Sequence, residues 1–199
     1  MWKGFAILAA LLAAAYMLLT GPRDLSRYPP RESSPYRLPW MAGITCFCNQ
    51  SNRGIVSHRG IEEFAFDFSM DEGSIVCAAR AGVVTHLDVS HDGHGWDKPN
   101  NYIVVDHGDG TSASYAHLRK GGSLVKKGDR VAQGHRIGLS GHVGKSLAPH
   151  LHFHVQDYRR GVTIPVSFSD VPAHRGVPRM GFRYTSGNTA PVIDAAPTR

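Results

Sequence analysis

Apolar positions along this chain fall into three regimes. From Gly4 to Gly21 (GFAILAALLAAAYMLLTG) they are nearly continuous and no side chain is charged. A single membrane span needs about 17–25 such residues, whereas the apolar core of a secretory signal is shorter, about 7–15. Tyr16–Gly21 offers no small-x-small cleavage site, and no cysteine follows that could carry a lipid. The pattern predicts an uncleaved N-terminal membrane helix over 1–21 in preference to a cleaved signal. Lys3 precedes the run while Arg23, Arg27 and Arg31 follow it, against the positive-inside preference, so charge does not place the following domain outside. Residues 22–40 (PRDLSRYPPRESSPYRLPW) have five prolines and no apolar period, the signature of an extended linker.

From about residue 41 short apolar runs alternate with glycine-containing turns. Ser74–Ala79 and Gly82–Leu87 are two candidate strands separated by Arg80-Ala81. Asn101–Asp106 and Thr111–His117 flank His107-Gly108-Asp109-Gly110, and the Asp-Gly pair predicts a hairpin. Val125–Val131 leads by a turn to Arg136–Ser140, and His150–Val155 follows. No ten-residue stretch after residue 40 has a 3.6-residue period. The expectation is an all-β domain over 41–171, with antiparallel sheets forming a sandwich or partly open barrel. Residues 172–199, rich in Pro, Arg, Gly and Ala, read as a loosely ordered tail.

The run Pro149-His150-Leu151-His152-Phe153-His154-Val155 carries candidate chemistry as well as a strand pattern. Alternation along a strand puts His150, His152 and His154 on one face and Leu151, Phe153 and Val155 on the other. The second face suits a core. Three imidazoles on the first suit a metal or proton transfer. Twelve histidines in 199 residues strengthen the metal reading. The 22 Lys and Arg against 16 Asp and Glu give a net charge of +6, which suits an anionic phospholipid or cell-wall surface. No Lys/Arg run or aromatic-basic array marks a nucleic-acid site. Cys46, Cys48 and Cys77 form neither a disulfide framework nor a CxxC zinc pair.

A catalytic zinc takes three protein ligands and leaves a fourth position open. The candidates come from separate places: His58 in His58-Arg59-Gly60, Asp67 in Phe64-Ala65-Phe66-Asp67-Phe68, His117 in Tyr115-Ala116-His117-Leu118, and His150 and His152. A carboxylate among aromatics needs a partner, which a metal would supply. HExxH is absent, so a thermolysin-like site with a glutamate base is excluded.

Five segments in order, SHRGIEEFAFDF (57–68), GSIVCAARAGVV (73–84), NYIVVDHGDGTSASYAHL (101–118), VKKGDRVAQGHRIGLSGHVGKS (125–146) and PHLHF (149–153), resemble the lysostaphin/LytM-type zinc metallopeptidases that cut peptidoglycan cross-bridges. The resemblance spans about residues 55–156. It implies the duplicated-hybrid-motif β fold and one Zn2+ held by His58, Asp67 and His152, with His117 and His150 as non-ligand catalytic histidines. It also implies a peptidoglycan peptide as substrate and a place in the cell envelope; the apolar run adds the membrane as partner through the N-terminal helix. Two positions depart from the commonest pattern. Histidine is usual four residues before the aspartate, where this chain has Glu63, and His58 lies nine before; Glu62 or Glu63 is therefore an alternative ligand. Glutamate usually follows the His-x-His-Phe word, where this chain has His154, read as supporting the ligands or rimming the cleft. His91 and His94 read as solvated loop residues, with the rim of the substrate groove or an adventitious metal as the alternatives, and His86, His107, His135, His142 and His174 as turn or surface residues. Tyr102 and Trp96 read as packing or loop anchors, with substrate contact the alternative. A catalytically silent wall-binding relative that regulates another hydrolase is the rival function. A biotinyl/lipoyl carrier hairpin, suggested by Lys126-Lys127-Gly128-Asp129-Arg130-Val131, fails because no lysine sits at a Met-Lys turn.

Overall fold

The computed structural model describes residues 24–190 throughout, with residues 4, 6–8, 11–12 and 21–22. The membrane helix expected over 1–21 falls largely outside the described residues. The positions described there, 4, 6–8, 11 and 12, are helical, and no helix among the described residues is long and apolar enough to cross a membrane. Residues 191–199 of the expected tail also lie outside them.

The domain is all-β, as the alternation requires. The strands are β1 (Thr45–Gln50), β2 (Phe66–Ser69), β3 (Ile75–Cys77), β4 (Gly82–Asp88), β5 (Tyr102–Asp106), β6 (Thr111–Ala116), β7 (Leu118–Ser123), β8 (Arg130–Val131), β9 (Arg136–Ser140), β10 (His150–Asp157), β11 (Val162–Thr163) and β12 (Arg183–Thr185). One sheet runs β12-β1-β2-β10-β6-β5-β4-β8, with β11 also pairing with β10, and a second runs β3-β9-β7. Every strand pairing is antiparallel. The Asp-Gly hairpin joins β5 to β6: Asp109 accepts from the Thr111 backbone N–H (3.0 Å) and hydroxyl (2.6 Å), and Gly110 takes φ 92. The strand expected over 125–131 survives only as β8. Asp129 turns the chain by accepting the Lys126 N–H at 2.9 Å, and Gly128 takes φ 95, which a side chain would disfavour.

Strand β10 sits centrally, between β2 and β6. Leu151, Phe153 and Val155 are fully buried. Phe153 meets Tyr115 (ring centroids 5.3 Å) and Phe168 (5.7 Å), and Phe168 meets Phe66 at 5.5 Å. This is the predicted apolar side of the strand. The opposite side carries the histidines.

The flanking segments pack on this core. Residues 24–40, expected as a linker, have no regular element beyond two short 3-10 turns, yet Tyr28, Tyr36, Leu38 and Trp40 are buried. The proline-rich chain runs extended along the domain and inserts its aromatic side chains. Within 172–190, β12 pairs with β1 and buries Tyr184, and the Asn188 amide donates to the carbonyls of Leu38 and Ala78.

Candidate metal centre

The site is built on one cross-strand row. Register pairs Gln50 of β1 with Asp67 of β2, Asp67 with His152 of β10, His152 with Ala116 of β6, and Ala116 with Tyr102 of β5. Directly paired residues project to the same face, so Asp67 and His152 meet from strands 85 residues apart. His150 lies two residues back along β10 on the same face. His117 follows Ala116 in the left-handed region (φ 63), which breaks the chain between β6 and β7. A positive φ at a non-glycine residue is uncommon and marks a constrained position; here it accompanies a ring beside His150 and His152 (centroids 4.5 and 5.8 Å). His58 arrives from the loop after β1 and is fully buried.

His58, Asp67 and His152 form a group whose ligand atoms lie within 4.8 Å of one another. His58 Nε2 is 3.2 Å from Asp67 Oδ1, and His152 Nδ1 is 2.9 Å from the same oxygen. The tautomers carry the argument. His58 Nδ1 lies 2.9 Å from the Ser51 carbonyl. A carbonyl only accepts, so Nδ1 carries a proton, and in the neutral ring Nε2 presents a lone pair. That Nε2 is buried with no hydrogen-bond partner, and it faces a carboxylate oxygen. Two lone pairs at this distance repel unless a cation lies between them. At the far edge of His152, Nε2 lies 3.1 Å from His154 Nδ1, so that nitrogen can hold the proton while Nδ1 is free to ligate, a common arrangement around metal-bound histidine. The residues present therefore fit a divalent metal. Glu63 is turned away, toward Arg27 (3.9 Å) and Arg53 (3.8 Å). Glu62 lines the cleft but is not in the converging group.

His150 Nε2 lies 3.6 Å from Asp67 Oδ1. Its Nδ1 lies 2.8 Å from the Ala148 carbonyl, with Ser146 Oγ at 3.1 Å. His117 Nδ1 lies 2.8 Å from the Val143 carbonyl. Both rings thus have Nδ1 protonated and Nε2 bare. Burial lowers both pKa values, that of His117 to about 3, with the neighbouring imidazoles adding to the effect. Burial also lowers His154, to about 3. For Asp67 burial opposes the charge, but the imidazoles of His152 and His58 beside it prevail and hold the carboxyl well below its usual value. For His152 burial favours the neutral form, and the negative charge of Asp67 beside it outweighs burial and raises its pKa.

These groups floor a cleft of about 790 Å³, within the usual range for small-ligand sites. Trp96 and Leu147, 63% and 74% exposed, stand on its walls with Tyr102, Val56 and Lys145. The two wall loops are joined: Gly95 N–H donates to Gly144 O (2.9 Å), Gly144 N–H to Gly93 O (3.0 Å), and the His94 and His142 rings stack at 3.9 Å. His94 is exposed and lines the cleft. His91 pairs with Asp88 at 3.1 Å. The cysteines are free and buried. Sequence reasoning missed Gln50 and Ser146, because neither amide nor hydroxyl announces a role without its partners.

Two antiparallel sheets thus bring Asp67 and His152 together on adjacent central strands and His58 to them from a loop, a group that could hold a metal ion. The sequence matches Peptidase family M23 over residues 58–164, more than half of the chain, and the chain belongs to that family. It is 37% identical over 113 residues to the peptidoglycan DD-endopeptidase ShyA of Vibrio cholerae, covering 57% of this chain and 24% of that protein. It is 40% identical over 91 residues to lysostaphin of Staphylococcus simulans, covering 45% and 17%. The chain thus spans about a quarter or less of the length of these relatives. The M23 metalloprotease pseudoalterin shares the fold, with a TM-score of 0.52 over 78% of this chain and 97% of that one at 20% identity.

Proposed function

We propose that the protein is a zinc-dependent endopeptidase that hydrolyses peptide cross-links or stem peptides of bacterial peptidoglycan. The observation that carries the reading is the bare, buried Nε2 of His58 aimed at Asp67 Oδ1 beside His152 Nδ1. His58, Asp67 and His152 would hold the metal. Bound there, zinc supplies a Lewis acid that polarises the scissile carbonyl and lowers the pKa of water to about 7.

The remaining steps belong to side chains. His150 and His117 each present an unprotonated Nε2, so either accepts a proton from the attacking water. The imidazolium so formed donates to the developing oxyanion and then to the leaving amine. The carbonyls of Ala148 and Val143 hold each ring's Nδ1–H and keep the other nitrogen available. Trp96, Leu147 and Tyr102 offer apolar surface along which a peptide can lie.

A peptidoglycan substrate is supported by the similarity to the peptidoglycan DD-endopeptidase ShyA and by the chain's net charge of +6. An anchored position in the envelope is supported by the uncharged run from Gly4 to Gly21. At positions 4, 6–8, 11 and 12 that run is helical, and it exposes Ile7, Leu8, Leu11 and Leu12.

The test is to purify the full chain in detergent, measure bound zinc, and digest muropeptides with it and with His152→Ala. One zinc per chain and product formation lost in the variant are expected. A folded protein that binds the wall without zinc and never cuts would replace this reading with that of a silent regulator.

A further inference from the structure

We infer that Gln50 is a positioning residue for the metal centre, fixing the Asp67 carboxylate and the His58 loop in one geometry. The inference rests on the metal reading above.

Three contacts use every polar atom of the Gln50 amide. Its Oε1 accepts the Val56 backbone N–H at 3.2 Å. That bond settles which end of the amide is oxygen and leaves two hydrogens on Nε2. One goes to Ser57 Oγ at 2.8 Å and the other to Asp67 Oδ2 at 2.9 Å. The side chain is 94% buried, at 6% exposure, where hydrogen bonds to a charged group are worth more than at the surface.

The consequence for Asp67 is a division of labour between its oxygens. Oδ2 is held by Gln50, while Oδ1 faces His58 Nε2 and His152 Nδ1. The carboxylate cannot swing about its Cβ–Cγ bond without breaking the Gln50 contact.

The consequence for His58 follows from chain length. A histidine four residues before the aspartate would reach the site through a short connection. Here His58 lies nine positions before Asp67, with eight residues between them, and residues 51–59, the nine-residue stretch that carries it, form no strand. An irregular loop of that length has many conformations to lose on ordering. Gln50 pins it at Val56 and Ser57, immediately before His58. Ser51, on the other side, takes the His58 Nδ1–H on its carbonyl. Gly54 leaves the room required, since a Cβ there would overlap the Gln50 side chain. The cross-strand pairing of Gln50 with Asp67 gives the amide a rigid base.

The experiment compares the full chain in detergent with Gln50→Met, which keeps length and bulk but has no polar hydrogen, and Gln50→Glu, which keeps the shape but cannot donate when ionised. Zinc affinity is read by competition with a chromophoric chelator, the Co2+ form by its d–d absorption, and folding of the metal-free proteins by near-UV circular dichroism. Side chains that hydrogen-bond to metal ligands set affinity by about 10- to 100-fold, so a weakening of that size with an altered Co2+ spectrum is expected in folded variants. Should Gln50→Met not fold, Gln50→Glu carries the same reading. A folded variant that binds zinc within about twofold of the parent, with an unchanged Co2+ spectrum, overturns the inference and leaves the metal reading intact. A parent chain that takes up no zinc overturns both.

Discussion

Replacing His150 by alanine tests the division between ligands and proton-handling groups. Its Nε2 lies 3.6 Å from Asp67 Oδ1 but is not among the three converging ligand atoms, so zinc content should stay at the parent level. The variant loses the Nδ1–H bond to Ala148 O and the contact with Ser146, at a cost of about 1–2 kcal/mol in stability. That leaves most domains folded, since total stabilities are about 5–15 kcal/mol. The catalytic loss is of another size. Removing a positioned acid or base costs about 10²- to 10⁴-fold, equivalent to about 2.7–5.4 kcal/mol of barrier at about 1.36 kcal/mol per factor of ten. The assay is steady-state release of product from a purified muropeptide dimer, with zinc measured by mass spectrometry on the same sample and folding by circular dichroism. A variant that keeps kcat within about threefold of the parent, against the 10²-fold minimum expected, would refute the role given to His150. So would a folded variant stripped of zinc, because His150 would then be a ligand.

Phe153→Ala acts on the other face of the same strand: with Phe153 fully buried between Tyr115 and Phe168, urea denaturation should show a loss of about 3–5 kcal/mol, and a loss below about 1 kcal/mol would contradict the packing. Trp96→Ala should raise KM about 3- to 10-fold with kcat kept, a loss of about 0.7–1.4 kcal/mol in binding, because the ring is 63% exposed on the cleft wall; an unchanged KM on a peptide substrate would remove it from the binding surface. Burial holds the His107 pKa below its ordinary value, and Arg80 adds to the effect against the opposing bond to Ala81. Its folded-state pKa therefore lies below the unfolded value of about 6.5, so the stability it contributes is present above that pH and lost as pH falls below it. Denaturation at about pH 7.5 and about pH 5 should show a smaller pH-dependent loss in His107→Asn than in the parent, and parallel losses would count against the assignment.

Legibility in the sequence differed by element. The two faces of β10 follow from a period of two, a local property of the backbone, and the structure places Leu151, Phe153 and Val155 in the core and the histidines over the cleft. The hairpin at Asp109-Gly110 was equally local. By contrast β1, β7 and β12 were not expected. Strand β12 lies in a stretch rich in Pro, Arg and Gly and exists through its pairing with β1, some 140 residues away, as in Thr45 with Thr185. Propensity has no access to such a partner. The buried aromatics of residues 24–40 were hidden for the same reason, since proline spacing reports an extended backbone and not what it lies against.

The candidate site divides along the same line. By itself the sequence determined which side chains could bind metal or move protons, because imidazole and carboxylate chemistry belongs to the residue. It determined too that His150 and His152 share a face, because strand parity belongs to the backbone. Only the tertiary structure decided the rest. Antiparallel register set Asp67 beside His152, a left-handed residue at 117 carried a third imidazole to them, and buried carbonyls chose which nitrogen of each ring stays bare. The amide of Gln50 tied the carboxylate to a loop. Tautomer, register and hydrogen-bond partner are relations between groups distant in the chain, and they take values only once the fold brings those groups together.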